Sequence, residues 1–242
     1  MNAKNIKMFT LPNFVTLANL ALGCAAIVVA LGAGHRLDIA FWLIAAAAVC
    51  DFLDGTVARL TGQYSALGVQ LDSLADMVSF GVAPSVVLFE LYKNSASLWG
   101  IGDCFGWGVF VVALFSALRL AKFNIDDTQT TEFVGLPVPA NALLIAGLGW
   151  VGYSQGGLDV PREAWLGLAV VMSYLLISPI RMFSLKFKGL GRRDNGLQYR
   201  FLVCCAVLVA VLGIGGVSAS IGVYIATSTV RHFIGNSKNS AV

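Results

Sequence analysis

Residues 39–50 carry no charge, but this run is only twelve residues long and it ends at Asp51. A second uncharged run, residues 77–89, begins directly after Asp76. A helix that crosses a bilayer needs roughly 20 apolar residues. Neither run is long enough alone. The helix through the first must therefore take in Asp51 and Asp54, and the helix through the second must reach back over Asp76 and Asp72. Asp51 and Asp54 are spaced i, i+3, and Asp72 and Asp76 are spaced i, i+4, so on a helix each pair shares one face. The polar, glycine-containing link 61–68 between the pairs predicts two antiparallel helices that aim four carboxylates at one point. Unaccompanied carboxylates at that spacing repel, so the cluster makes sense with divalent cations among them. Charges at membrane depth are costly and mark functional sites.

Composition agrees with a chain that lives in lipid. Of its 242 residues 57% are hydrophobic and 12% charged, against about 25% charged in a soluble domain. Mean hydropathy is +0.79. Strand-like alternation is absent, which argues against a barrel. The expected fold class is all-α, a polytopic membrane bundle of about eight transmembrane helices. The net charge of +3 is small and nothing points to nucleic acid. The first apolar run lacks a convincing cleavage site and reads as a retained span. None of the five cysteines has a ligand spacing, and in spans they behave as small hydrophobes.

The expected spans are 13–32, 37–60, 66–92, 98–122, 137–153 and 163–183, with two short helices after them within 201–230 that turn near Gly213–Gly216. Seven spans is the alternative. Pro84 is expected to bend the third. In the first, Asn13, Thr16 and Asn19 form a polar stripe, suited either to bonding between helices or to lining a polar cavity. With eight spans, Arg36, Lys93 and Arg162 fall on one side and the other thirteen of the sixteen Lys and Arg residues on the other. The positive-inside rule then puts both termini and the aspartate link in the cytoplasm.

The donors set the chemistry. Four carboxylates are hard ligands, suited to Mg²⁺, Mn²⁺ or Ca²⁺ and able to hold two ions. A two-metal site suits phosphoryl transfer. Arg59 adds a fixed cation at the same helix end, matched to a phosphate. Gly55 and Gly68 let a bulky ligand approach the backbone. A lipid substrate accounts for a phosphate site inside a membrane protein.

The pattern D-x2-D-G-x2-A-R-x8-G-x3-D-x3-D is complete here in Asp51, Asp54, Gly55, Ala58, Arg59, Gly68, Asp72 and Asp76. It resembles the signature of the CDP-alcohol phosphotransferase family, whose members move a phosphate-bearing group from a CDP-linked donor to an alcohol and release CMP. The resemblance implies that Asp51 and Asp72 bridge two metals, that Asp54 completes the first, and that Asp76 touches the second and acts as general base. It implies that Gly55, Ala58, Arg59 and Gly68 contact the CDP moiety, with Ser65 nearby. It also implies that Asn13, Thr16 and Asn19 help to hold the nucleotide.

Outside the signature, P-N-F-V-T-L-A-N-L at 12–20, R-L-A-K-F-N at 119–124 and G-L-P-V-P-A-N-A at 135–142 are similar to the bacterial, membrane-embedded branch of the family that uses serine. That likeness implies CDP-diacylglycerol as donor, L-serine as acceptor, two Mg²⁺ or Mn²⁺ ions, an inner-membrane location with the active site facing the cytoplasm, and a homodimer. Arg119 and Lys122 are suited to the serine carboxylate and Asn124 to a hydrogen bond with it; snorkelling alone also accounts for the two cations. One domain is expected, with a catalytic core over about 12–184 and extra C-terminal helices over about 197–234. Glycerol phosphate or inositol phosphate are rival acceptors. A cation transporter is the rival of another class, but Arg59 would repel its cargo and no internal repeat is evident.

Overall fold

The computed structural model describes residues 8–125, 133–156, 158–183 and 196–239. Helix α1 spans Leu11–Leu31 and α2 spans Leu37–Thr61. Helix α3, Ala66–Asp76, runs through a wide π-helical turn at Met77–Val82 into α4, Ala83–Lys93. A 3₁₀ segment, Asp103–Phe110, leads into α5, Val111–Ile125, and α6 (Val138–Ser154) and α7 (Arg162–Ile177) come next. Helices α8, Gly196–Leu212, and α9, Gly215–Asn239, form the C-terminal hairpin. Taking α3–α4 as one rod, eight rods are present among the described residues, as the sequence predicts. Three are long and apolar enough to cross a membrane: Leu11–Leu31, Ala66–Lys93 and Asp103–Ile125.

Some boundaries move for local reasons. The fourth rod starts at Asp103, five residues after the expected 98, because Glu163 draws the preceding turn out of helix. Glu163 Oε1 accepts from Ser97 Oγ at 2.7 Å and from the Trp99 amide at 3.0 Å. The sixth stops at Ile177, before Ser178 and Pro179, since the residue before proline disfavours helix. Beyond it the chain forms a two-residue strand, β2 (Arg181–Met182), antiparallel to β1 (Phe133–Val134). The last helix, at 25 residues, is longer than the short one expected. Pro84 stands in the first turn after the π segment, where the wide turn relieves the clash between its ring and the preceding carbonyls.

Lipid rewards close packing and shared hydrogen bonds rather than apolar burial as such. Trp42, Leu74, Leu114, Val170 and Val203 accordingly point outwards. The interior is filled by Ile44, Phe80, Leu88, Ile145 and Leu176 and by many small residues. At Gly135 the backbone has φ 80, and a Cβ would stand 2.5 Å from the Leu176 carbonyl oxygen. Only glycine lets this loop lie flat on the end of α7, where the Leu136 amide donates to Leu175 O at 2.9 Å.

The two ends of the bundle differ in chemistry. Arg162 Nε and Nη2 donate to the Ser95 and Lys93 carbonyls, and its Nη1 pairs with Asp103 at 2.6 Å. His35 Nδ1 lies 2.8 Å from the buried Glu90 carboxylate. Arg36, Lys93 and Arg162, the three minority cations, thus gather at the end away from the aspartates.

Helix α1 meets the π turn closely enough that a Cβ on Gly23 would collide with Ser79, its Cα included at 2.7 Å. Gly167 has nothing within 4 Å. Gly23→Ala is expected to lower the melting temperature in detergent, by a free energy of about 1–3 kcal/mol. Gly167→Ala should leave it unchanged, as read by tryptophan fluorescence on heating.

Candidate active site

The link between α2 and α3 is short and capped on both sides. Gly62 ends α2, and Ser65 caps α3 by accepting the Gly68 amide at 2.9 Å. This turn reverses the chain so that both helices pack against α1 rather than against each other, with the i, i+3 and i, i+4 pairs turned towards a common point. One carboxylate oxygen each from Asp51, Asp72 and Asp76 lies within 4.8 Å of the others. Asp54, 6% exposed, is turned towards α1, where Thr16 Oγ1 donates to its Oδ2 at 2.7 Å. Asn19, fully buried, donates from Nδ2 to Asp76 Oδ1 at 3.0 Å. Two members of the polar stripe on α1 therefore hold the acids directly. The third, Asn13, donates to Met8 O at 2.8 Å, and its Oδ1 would lie 3.3 Å from a Cβ on Gly68.

The donor set fits hard divalent cations. All the convergent atoms are carboxylate oxygens, and among the described residues Asp72 Oδ1 is buried without a hydrogen-bond partner. Asn19 Oδ1 and Arg119 Nε are likewise buried and unpartnered. Buried polar atoms left open cost about 1–3 kcal/mol each, so three at one site point to groups that arrive from outside.

The remaining residues singled out in the sequence surround this cluster unevenly. Arg59 is exposed and folds back along its own helix, donating from Nη2 to Thr56 Oγ1 at 3.0 Å. Its Nη1 would be 3.6 Å from a Cβ on Gly55, so Gly55 and Arg59 share one surface, with Ala58 half-buried beside them. Arg119 lies within electrostatic reach of Asp76 and of Tyr224. Arg119 and Lys122 line one small pocket with Phe123, Val134, Leu176 and Ile177. Asn124 does not open into that pocket; its Nδ2 donates to Ser73 Oγ at 2.9 Å and ties the end of α5 to α3.

Residues 9–176 match the family model for CDP-alcohol phosphatidyltransferase. A protein of Helicobacter pylori strain J99 named CDP-diacylglycerol--serine O-phosphatidyltransferase is 34% identical over 233 residues, covering 93% of this chain and 91% of its own. The chain belongs to the CDP-alcohol phosphatidyltransferase family. Relatives of the same name are 33% identical in Bacillus subtilis strain 168, covering 77% of this chain and 97% of that one, and 38% identical in Methanocaldococcus jannaschii, covering 58% and 61%.

Within this CDP-alcohol phosphatidyltransferase fold, sequence reasoning missed three side chains next to the site. Ser79 Oγ donates to Asn19 O at 2.9 Å and locks α1 against the π turn. Its position three residues after Asp76 is the signal that was available. Ser73 was concealed by its neighbour Asp72. Tyr224 lies about a hundred residues from Arg119, and no local pattern connects them.

Removing one of the clustered charges relieves repulsion when no cation is present. Asp72→Asn is expected to raise the melting temperature in EDTA by several degrees. The wild type should gain stability on addition of Mn²⁺, and Asp72→Asn should lose most of that gain. Thermal melts with and without Mn²⁺ measure both effects.

Proposed function

We propose that this chain transfers the phosphatidyl group of CDP-diacylglycerol to the hydroxyl of L-serine, releasing CMP and phosphatidylserine. The observation that carries the reading is the convergence of Asp51, Asp72 and Asp76 oxygens within 4.8 Å on the family signature. The names of relatives that align over nearly the whole chain support serine as acceptor over glycerol phosphate or inositol phosphate. Two divalent cations, Mg²⁺ or Mn²⁺, held by Asp51, Asp54, Asp72 and Asp76, would neutralise the diphosphate oxygens and favour both the attacking and the leaving oxygen.

The chain's own residues do the rest. Asn19 orients the Asp76 carboxylate through its hydrogen bond, and Asp76 takes the proton of the serine hydroxyl. The serine oxygen attacks the lipid-side phosphorus, and the bond from that phosphorus to the oxygen retained by CMP breaks. Arg59, beside Gly55 and Ala58, receives the phosphate of the nucleotide. Asn13, Ser65 and Gly68 form the neighbouring wall, where Ser65 and Asn13 crowd the place that a Cβ on Gly68 would take. Thr16 keeps Asp54 in place. Arg119 and Lys122 bind the serine carboxylate, and Asn124, through Ser73, fixes the distance from that pocket to Asp72.

The unit is one catalytic domain, with its core over about 12–184 and the C-terminal hairpin packed on it. The gathering of Arg36, Lys93 and Arg162 at the far end supports a cytoplasmic active site in the inner membrane. The small residues on the helix faces suit a homodimer.

Purified protein with CDP-diacylglycerol, Mn²⁺ and a panel of acceptors tests the reading by CMP release. Serine should support turnover, and glycerol phosphate and inositol phosphate should not; the reverse order overturns the acceptor. Asp76→Asn should slow CMP release at least about a hundredfold while still binding the lipid donor. Arg119→Ala should raise the serine KM about tenfold and leave the donor KM unchanged.

A further inference from the structure

A cavity of about 420 Å³ lies between α6, α8 and α9. Pro137 and Leu143 of α6 and its approach, Phe201 and Val209 of α8, and Ile221 and Tyr224 of α9 are among its walls. The lining is hydrocarbon. Ser220, its one serine, turns its hydroxyl back to Gly216 O at 2.7 Å, and the Tyr224 hydroxyl donates to Phe183 O at 3.1 Å. No polar group is left to hold water, and a dry cavity of this kind takes an apolar guest.

The cavity is built into the packing. Ser218 Oγ donates to Leu144 O at 2.8 Å, and a Cβ on Gly147 would collide with that serine. Gly215 is similarly close to Val151, where a Cβ would stand at 2.9 Å. These contacts seat the first turns of α9 hard against α6, and beyond them the walls part. From Tyr224 the space extends along α9 to Val217, about 10 Å at the helical rise.

Its head is closed by three rings. Phe183 and Tyr224 have centroids 4.8 Å apart, Phe183 and Phe201 5.4 Å, and Phe201 and Tyr224 5.9 Å. Arg119 lies within electrostatic reach of both Tyr224 and Asp76. The Arg119–Lys122 pocket and the apolar space adjoin in the fold: Val134 lines the first and Pro137 the second, and β2, which pairs with Val134, runs directly into Phe183 at the cavity wall. A ligand with a charged head at the aspartates and a hydrocarbon tail fits that sequence of surfaces.

We propose that this cavity receives one acyl chain of the diacyl donor, so that the α8–α9 hairpin, which lies beyond the family-matched residues 9–176, selects the donor by chain length. The proposal rests on the donor assigned above. Tyr224 divides the tail pocket from the headgroup site, and Val217 and Val209 line the pocket farther along the hairpin.

The test compares dioleoyl and dioctanoyl CDP-diacylglycerol in mixed micelles, with serine and Mn²⁺, for the wild type, Val217→Phe and Ala140→Phe. Both substitutions place a ring in the cavity. The ratio of the dioleoyl KM to the dioctanoyl KM should rise about tenfold in the variants. An unchanged ratio, including an equal rise for both donors, overturns the proposal. Because a filled cavity can impair folding, a second measurement uses the wild type alone. A donor analogue with a photoreactive diazirine near the middle of one chain should label α8 or α9 peptides, and label confined to α1–α5 overturns the proposal. A wild type that releases no CMP from either donor refutes the enzymatic reading instead, and the photolabelling still decides whether the cavity holds a lipid chain.

Discussion

Three carboxylates within 4.8 Å of one another, set in an otherwise largely apolar bundle, are the constraint that the rest of this structure serves. Left alone they push apart, and the membrane offers little water to separate them. The bundle holds them by other means. The capped turn at 62–65 brings α2 and α3 onto the same flank of α1, and α1 contributes Thr16 to Asp54 and Asn19 to Asp76. Ser79 then secures α1 through its backbone at Asn19. Two side-chain bonds from α1 and one from Ser79 to its backbone cross between helices, so the site and the tertiary fold stand or fall together.

The π turn after Asp76 belongs to the same solution. Its extra residue rotates the chain by roughly 100° relative to a regular helix. The acids of α3 can then face the cluster while α4 buries almost all its side chains, Ala83 to Leu88 among them.

Much of this could be read in the sequence, because the membrane makes its rules local. The short uncharged runs forced Asp51 and Asp76 into helices, and the spacings paired them. The resemblance carried by eight signature positions pointed to the family, and the number of rods came from run lengths. What escaped was non-local. Asn13, Thr16 and Asn19 stand out as a stripe, but whether they bond other helices or line a cavity depends on what lies opposite, and for Thr16 and Asn19 that is Asp54 and Asp76. Residues 163–183 read as continuous, yet the helix ends at Ile177, ahead of Ser178 and Pro179, and Leu175 and Ile180 offer their carbonyls to the loop at 135–136. Asn124 has the chemistry of a ligand group and is satisfied by Ser73.

The far end of the bundle bears on how the near end works. There Arg162 ties its own helix to three stretches of backbone, at Lys93, Ser95 and Ile101, while Glu163 clasps the turn at 97–99. Opposite, the aspartates are gripped by two side-chain bonds from α1 and the helix termini meet in short strands and loops. Asp51 and Asp72 are only half-buried, so the cluster is already open at that end. With one end stitched through main-chain carbonyls, whatever give the bundle has is left to the end where the carboxylates stand.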